Sequence, residues 1–273
     1  MNKKILILGK GFIGERLQKA FNCVVCDDFI RSYHDAERVI RRHKPKIIIN
    51  CIGLTGKNNV DDCELVKDEV LLANSFIPIM LAEIALRQRI KLVHISSGCI
   101  FNFDYKKDKP IPEDSEDYFF NLFYSRSKIY AERPLEALSR ACDILILRIR
   151  IPLLNEPHPK NLLDKLVKYR NVIDIPNSVT YIPDFVRAVK YLIGTGAKGV
   201  YNIVNKGALR YPDLMRVYQK YTPDFKFNVI GLKKLGLVRT NLLLSTKKLE
   251  KTGFKVRNIN SILEECVKEY LKY

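Results

Sequence analysis

The start of the chain alternates a short apolar strand, a glycine turn and a helix, and this alternation constrains the fold more than any other feature. Lys4–Leu8 is a continuous apolar run, typical of a strand buried on both faces of a parallel sheet. Gly9, Gly11 and Gly14 follow it with the spacing GxGxxG. Further strands are predicted at 23–26, 47–51, 91–95 and 144–148, with helical patterns between them. The pattern predicts an α/β fold, a Rossmann-type doubly wound parallel sheet.

The regular alternation weakens after Arg150, where prolines interrupt the chain. We therefore predict an NAD(P)-binding domain over residues 1–150 and a smaller, mainly substrate-binding lobe over residues 151–273. Segments near 174–204 are expected to return to the sheet. Helices are predicted in the second part at about 161–169, 183–193, 211–221 and 259–270.

Composition favours a folded protein of the cytoplasm. Hydrophobic residues make up 47% of the 273 residues, enough for a substantial core. No apolar run is expected to reach the roughly 18–20 residues of a membrane span, and the apolar stretch at the start ends too early for a signal peptide. Seven cysteines, an odd number, predict free thiols in a reducing compartment.

The formal net charge of +17 is unusual and permits three classes of partner: a nucleic acid, an anionic membrane surface or a polyanionic small ligand. Residues 206–273 hold 15 basic and 6 acidic side chains, without a run of like charges. The chain shows no arginine-rich arm, zinc knuckle or aromatic RNA-binding signature, which argues against nucleic acid. We expect no membrane partner and a solvated surface for most of this charge.

The glycine turn predicts a dinucleotide site, because closely spaced glycines let a pyrophosphate approach a helix N-terminus. Asp27 ends the second predicted strand, where a carboxylate favours NADH, whereas Lys10 and Arg31 favour the 2′-phosphate of NADPH. The choice stays open with a preference for NADPH. The predicted cofactor-binding residues are Gly9, Lys10, Gly11, Phe12, Ile13, Gly14, Asp27, Asn50, Gly53, Tyr124 and Lys128.

A catalytic set follows in chain order. Tyr124 and Lys128 form a YxxxK pattern on a predicted helix, where residues four apart share a face. A neighbouring ammonium lowers the pKa of a phenol, so the tyrosine can transfer a proton near neutral pH. Ser97 ends the preceding strand and can donate a hydrogen bond to the same carbonyl oxygen.

These motifs resemble those of the extended short-chain dehydrogenase/reductases. Within that family, the chain is similar to the plant-type bifunctional nucleotide-rhamnose synthases, which are related to the dTDP-4-dehydrorhamnose reductases. The segments that carry the resemblance are Gly53–Glu64, Ser97–Phe101, Tyr124–Lys128, Leu147–Pro152 and Asp174–Thr180. The match weakens after about residue 205, and the plant-type glycine loop is one residue longer than Gly9–Gly14.

The resemblance implies an NAD(P)H-dependent 3,5-epimerase/4-reductase that converts a UDP- or dTDP-linked 4-keto-6-deoxyglucose to the L-rhamnose nucleotide. A separate upstream 4,6-dehydratase would supply this substrate. Tyr124, Lys128 and Ser97 are implied to serve the reduction, and Cys99 and Lys165 the epimerisation. For Cys99 and Lys165 the alternative is a buried strand-end thiol and a solvated lysine.

Other polar residues are candidates for the sugar-nucleotide site, with an ordinary structural or surface role as the alternative for each. They are Thr55, Lys57, Asn58, Asn74, Arg148, Arg150, Asn161 and Asn177. Asn74 has a further alternative, which is to brace the catalytic helix. Two other functions remain open at this stage: a 4-reductase without epimerase activity and a non-catalytic dinucleotide-binding regulatory subunit. The sequence leaves a homodimer open.

Overall fold

A computed structural model describes residues 4–57, 59–235, 238 and 240–273. The chain divides into two compact units. The first comprises Met1–Ile100, Tyr118–Arg148 and Leu192–Tyr201, and the second comprises Phe101–Asp117, Ile149–Tyr191 and Asn202–Tyr273.

The strands and helices follow closely the order predicted from the alternation. Up to Arg148 they are β1 Ile5–Leu8, α1 Phe12–Ala20, β2 Cys23–Cys26, α2 Tyr33–His43, β3 Ile47–Asn50, α3 Lys67–Leu71, α4 Ile77–Gln88, β4 Lys91–Ser97, α5 Phe123–Ser139 and β5 Ile144–Ile149. The later elements are β6 Pro152–Leu153, α6 Leu162–Tyr169, β7 Asn171–Ile173, β8 Thr180–Tyr181, α7 Ile182–Gly194, β9 Gly199–Asn202, α8 Tyr211–Tyr221, β10 Asn228–Ile230, α9 Lys247–Lys251 and α10 Leu263–Tyr270.

Six strands form the central sheet in the order β2-β1-β3-β4-β5-β9, which confirms the predicted fold class. β1 pairs in parallel with both β2 and β3, and β3 pairs in parallel with β4. The carboxyl ends of β1, β3 and β4 therefore meet at one edge, because parallel strands run in the same direction. This edge carries the sequence-predicted site residues that follow these strands.

Gly14 allows α1 to pack tightly against the glycine turn. A Cβ atom placed on Gly14 would lie 2.0 Å from the Gly9 carbonyl oxygen, well inside van der Waals contact. Gly9 has φ +93°, in the left-handed region that favours glycine. At Gly11 an added Cβ would meet no atom within 4 Å. The third glycine of the motif is thus required by helix packing, and the second leaves open space.

The helical stretch Lys67–Gln88 corrects one expectation from the sequence. Its 22 residues contain an 18-residue segment with a mean hydropathy of 1.7, long and apolar enough to cross a bilayer by length and composition alone. Half of that segment is buried, and Ile77 and Leu81 belong to the same core cluster as Leu6 of β1. This packing is that of a core helix.

The sequence predicts a long helix over residues 66–88 with a bend at Pro78, and the structure interrupts this helix shortly before Pro78. A π turn over Leu72–Phe76 separates α3 from α4, and Pro78 lies in the first turn of α4. A π turn adds one residue to a helical turn and occurs often at functional sites. Its consequence for Asn74 is described with the site.

The second unit contains two short parallel strand pairs, β6 with β8 and β7 with β10. α8 packs against α6 and α10. Leu163, Met215 and Val267 are fully buried in the core cluster that these helices share. The predicted helix 259–270 is divided into a 3₁₀ turn, Ile259–Ser261, and α10.

One predicted boundary is wrong. The sequence assigned residues 101–117 to the first domain, whereas they belong to the second unit. The reason is backbone pairing far along the chain: the Ile111 N–H donates to Leu243 O at 2.8 Å, and the Ser245 N–H donates to Ile111 O at 2.8 Å. Glu113 accepts a hydrogen bond from the Asn202 N–H at 3.0 Å. Such long-range pairing leaves no local signal in the sequence.

The packing at Gly14 generates a stability prediction. Gly14→Ala is expected to lower the free energy of unfolding by about 2 kcal/mol or more, because the new methyl group must displace backbone. Urea denaturation measures this loss. Gly11→Ala is the matched control in the same turn, and we expect it to stay within about 1 kcal/mol of the wild type. Equal losses for the two variants would contradict the role given to Gly14.

Candidate active site

The glycine turn places the N-terminus of α1 beside the sheet edge. Gly11 is the N-cap of α1 and provides no side-chain cap, and Phe12 begins the helix. The first N–H groups of a helix have no partner within the helix, and its N-terminus carries partial positive charge. Together with the space at Gly11, this turn fits a diphosphate, so the residues present are compatible with a dinucleotide.

The side chains that bear on the choice of dinucleotide lie at the surface. Asp27 follows β2 and is exposed, as is Lys10. Asp28 pairs with Arg42 at 2.9 Å, and the Arg31 guanidinium lies 4.6 Å from the Phe29 ring centroid. These contacts favour neither NADH nor NADPH.

α5 places Tyr124 and Lys128 one helical turn apart, both nearly buried at 7% and 4% exposure. Two hydrogen bonds tie the loop after β4 together and to this helix. The Cys99 N–H donates to Ser97 Oγ at 3.1 Å, and Ser125 Oγ donates to Cys99 O at 2.6 Å. The Ser97 hydroxyl, the Cys99 backbone and the first turn of α5 are therefore held together.

Asn74 braces this helix against the loop that follows β3. Its Oδ1 accepts from the Leu54 N–H at 2.8 Å, and its Nδ2 donates to Leu54 O at 2.9 Å and Ser127 Oγ at 3.1 Å. Ser75 Oγ also donates to Ser127 O, at 2.7 Å. Asn74 and Ser75 lie in the π turn. These contacts favour the bracing role over a direct substrate contact.

Asn50, a predicted cofactor-binding residue, forms a buried pair across β3 and β4 with His94, a residue that the sequence did not single out. Asn50 Oδ1 accepts from the Ile52 N–H at 3.0 Å, so its Nδ2, 3.2 Å from His94 Nδ1, is the donor to the ring. Burial, and secondarily the Lys128 charge, hold the pKa of His94 well below its usual range. The neutral ring therefore carries its proton on Nε2. Asn50 thus shapes the turn at 51–53.

Lys128 lies in a crowded polar position. A Cβ atom on Gly53 would be 3.2 Å from both Lys128 Nζ and Asn74 Oδ1, so a glycine leaves room for them. Burial lowers the pKa of Lys128 to about 8, an effect partly opposed by the negative charge of Glu132. The ammonium therefore exchanges its proton near neutral pH, which suits a group that supports proton transfer.

Three predicted substrate residues in the second unit are occupied by internal contacts. The Arg150 guanidinium donates to Asn177 Oδ1 at 2.8 Å and to Thr240 Oγ1 at 3.2 Å. Asn177 Nδ2 donates to Asn241 Oδ1 at 3.0 Å. Asn161 caps α6 by accepting from the Leu163 N–H. All three predicted residues are at most 1% exposed, which favours scaffold roles.

The remaining predicted residues divide between the two units. Thr55 is half-buried in the first unit, and Lys165 is half-buried on α6 of the second. Arg148, a further candidate, is fully buried and paired with Glu132 on α5. Asn58 lies outside the described residues. The binding roles of Thr55 and Asn58 and the catalytic role of Lys165 stay predictions.

The lowered pKa of Lys128 generates a pH-dependent prediction. The unfolded chain holds this proton up to about its ordinary pKa of 10.5, whereas the native state releases it at about 8. The free energy of unfolding rises with pH wherever the unfolded state binds more protons. The wild type should therefore become more stable between pH 8 and 10.5. Lys128→Met removes the buried charge. At pH 7 it should raise the free energy of unfolding by about 1–3 kcal/mol.

The difference in free energy of unfolding between Lys128→Met and the wild type should then become smaller towards pH 10.5. Urea denaturation across this pH range measures it. Lys168→Met, at an exposed lysine on α6, is the control and should change stability little at any pH. A stability difference between Lys128→Met and the wild type that stays constant across this pH range would contradict the lowered pKa of Lys128.

Comparison with known proteins places this geometry in a family. The model of the RmlD substrate binding domain matches residues 3–216. A bifunctional dTDP-4-dehydrorhamnose 3,5-epimerase/dTDP-4-dehydrorhamnose reductase of Arabidopsis thaliana is 30% identical over 237 residues, covering 82% of this chain and 76% of the relative.

Longer relatives match as well. A trifunctional UDP-glucose 4,6-dehydratase/UDP-4-keto-6-deoxy-D-glucose 3,5-epimerase/UDP-4-keto-L-rhamnose-reductase of Arabidopsis thaliana is 28% identical over 286 residues, covering 97% of this chain. The chain spans 41% of the length of that relative and 36% of two similar trifunctional proteins.

Solved structures show the same architecture. A UDP-rhamnose synthase of Acanthamoeba polyphaga mimivirus has a TM-score of 0.90 and 26% identity, with 98% of this chain and 100% of that chain covered. A dTDP-4-dehydrorhamnose reductase of Bacillus anthracis, solved with NADP, has a TM-score of 0.82 and 21% identity, covering 100% and 99% of the two chains. The latter shows the fold alone. The family model covers most of the sequence, and on that ground this chain belongs to the RmlD substrate binding domain family, together with rhamnose synthases and dTDP-4-dehydrorhamnose reductases.

Proposed function

We propose that this protein is an NADPH-dependent 3,5-epimerase/4-reductase that converts a UDP-linked 4-keto-6-deoxyglucose to the L-rhamnose nucleotide. The observation that carries the proposal is the buried Tyr124–Lys128 pair on α5, tied to the Ser97 loop at the edge where the glycine turn lies. The bifunctional relative and the viral UDP-rhamnose synthase support the same chemistry by similarity. The dTDP-linked sugar is the alternative substrate.

The cofactor proposal rests on the glycine turn and the residues next to it. The turn of Gly9, Gly11 and Gly14 and the start of α1 would hold the diphosphate. Lys128 would hold the nicotinamide ribose. When bound, a reduced nicotinamide supplies the hydride that reduces the sugar ketone at C4. NADPH is preferred on the predicted role of Lys10 and Arg31 at the 2′-phosphate, and NADH is the alternative.

In the proposed reduction, Ser97, Tyr124 and Lys128 have distinct roles. Ser97 and Tyr124 donate hydrogen bonds to the C4 oxygen, where negative charge develops. Tyr124 then delivers its phenolic proton to that oxygen. The nearby Lys128 ammonium favours the phenolate and so eases the transfer. The same donors would stabilise the enolate formed when a proton leaves C3 or C5.

Epimerisation needs an acid and a base that exchange protons at C3 and C5, both next to the ketone. We propose Cys99 and Lys165 for these tasks. Cys99 is half-buried, two residues after Ser97, and its backbone is held by Ser97 and Ser125. Lys165 lies on α6.

The setting of the enzyme follows from its substrate. A 4,6-dehydratase must form the 4-keto-6-deoxy sugar before this protein acts on it, and we propose that a separate protein does so. All seven cysteines lie in the described part of the chain and are free thiols. This supports the proposed cytoplasmic location, since free thiols persist in a reducing compartment.

Tyr124→Phe tests the reduction. The wild type should oxidise NADPH when given UDP-4-keto-6-deoxyglucose, and Tyr124→Phe should lose at least about 100-fold of this rate, because the proton donor is gone. NADPH absorbance measures it. Tyr130→Phe removes a phenol that is 46% exposed on the same helix, and it should keep the wild-type rate. If the wild type oxidises no NADPH with either the UDP or the dTDP sugar, the chain is not this reductase.

A deuterium experiment tests the epimerisation. In deuterated water the wild type should place deuterium at C3 and C5 of the product, measured by mass spectrometry and NMR. Cys99→Ser and Lys165→Ala should each lower the incorporation rate by about 100-fold or more. Cys23→Ser and Lys168→Ala are matched controls that should incorporate normally. Reduction without deuterium in the wild type would indicate a 4-reductase alone, and full incorporation by Cys99→Ser would remove the role of Cys99.

A further inference from the structure

A buried acid that the proposed mechanism does not use lies one turn beyond Lys128. Glu132 is on α5, four residues after Lys128, so both side chains lie on the same face of the helix. Glu132 is 1% exposed and Lys128 is 4% exposed. Burial of a carboxylate is costly unless its oxygens are satisfied by donors or positive charge.

Both carboxylate oxygens of Glu132 are held from neighbouring strands. Ser96 on β4 donates its hydroxyl to Oε2. Arg148 on β5 donates from Nε to Oε1 at 2.6 Å and forms a salt bridge with the same oxygen. Ser96 and Arg148 are 3% and 0% exposed. Ser96 directly precedes Ser97 on β4, so Glu132 is bonded to the strand that carries Ser97, a proposed hydrogen-bond donor to the substrate ketone.

The other titratable groups around Lys128 do not replace this charge. Tyr124 lies on the same helix, and His94 of β4 is held neutral by burial. Burial raises the pKa of Cys51 to about 12 and that of Cys63 to about 11, so both are neutral thiols at physiological pH. Among these neighbours, Glu132 is thus the acid whose negative potential raises the pKa of Lys128.

We propose that Glu132 is a positioning residue: anchored by Ser96 and Arg148, it keeps the buried Lys128 ammonium charged and in place beside Tyr124. Without it, burial acts on Lys128 unopposed by this carboxylate and favours the neutral amine, which no longer promotes the phenolate of Tyr124. The inference rests on the proposed reductase chemistry for its consequence. The charge state of Lys128 itself can be measured without substrate or cofactor.

Competitive acetylation tests this inference. The full-length protein is treated with a trace of acetic anhydride from pH 6 to 11, and the Lys128 peptide is quantified by mass spectrometry, since only the neutral amine reacts. The wild-type midpoint should lie at about 8. In Glu132→Gln it should fall by about one pH unit, so that Lys128 reacts about fivefold faster at pH 7.

Two further variants keep the test decisive. Glu136→Gln makes the same change one turn further along α5, and the Lys128 midpoint should not move. Glu132→Gln leaves Arg148 without its buried counter-ion, which can prevent folding. Glu132→Gln/Arg148→Met removes both charges, a replacement that buried ion pairs often tolerate. It should also lower the midpoint, by less than Glu132→Gln, because the Arg148 charge no longer opposes the Lys128 ammonium.

The outcomes separate this inference from the proposed function. A Lys128 midpoint unchanged in both Glu132 variants, or shifted equally by Glu136→Gln, would overturn the role of Glu132 whether or not the protein reduces a sugar. If the reductase assay succeeds, the alkaline limb of kcat should also move to lower pH in the Glu132 variants. A purely structural role would lower kcat and leave that limb in place.

Discussion

The burial of one positive charge at the sheet edge organises the site of the first unit. The Lys128 ammonium lies almost out of contact with water, and burial favours its neutral form. Polar groups from separate parts of the chain approach it: the Asn74 amide in the π turn, the Gly53 backbone after β3 and the Glu132 carboxylate on its own helix. The charge therefore depends on the sheet, the π turn and α5 being assembled together.

Much of this arrangement is readable from local spacing. The glycine turn after β1 and the tyrosine and lysine four residues apart are encoded within a few residues, so the sheet edge and the catalytic face of α5 could be predicted. Strand bounds such as Cys23–Cys26 follow from the same short apolar runs. Parallel pairing then brings the strand ends together without further information.

What could not be predicted depends on contacts between distant segments. Asn74 could be placed on a helix, but the π turn that directs it to Leu54 and Ser127 has no clear sequence signal. The pairing of Asn50 with His94 requires the register of β3 and β4. Arg150 reads as a ligand for a diphosphate until its contacts with Asn177 and Thr240 are known. A polar residue in a motif does not itself reveal whether it faces a ligand or the chain.

The π turn makes the site sensitive to the number of residues in a helix as well as to their identity. Each residue of a regular α-helix turns by about 100°, so one residue more or less rotates everything that follows. In Leu72–Phe76 the extra residue is absorbed within one turn, and α4 continues into the core with its apolar face aligned. Deletion of a single residue there would change either the packing of α4 in the core or the orientation of the Asn74 side chain, because both cannot be kept. One helical stretch thus serves both the core and the proposed active site because its π turn holds one residue more than a regular turn.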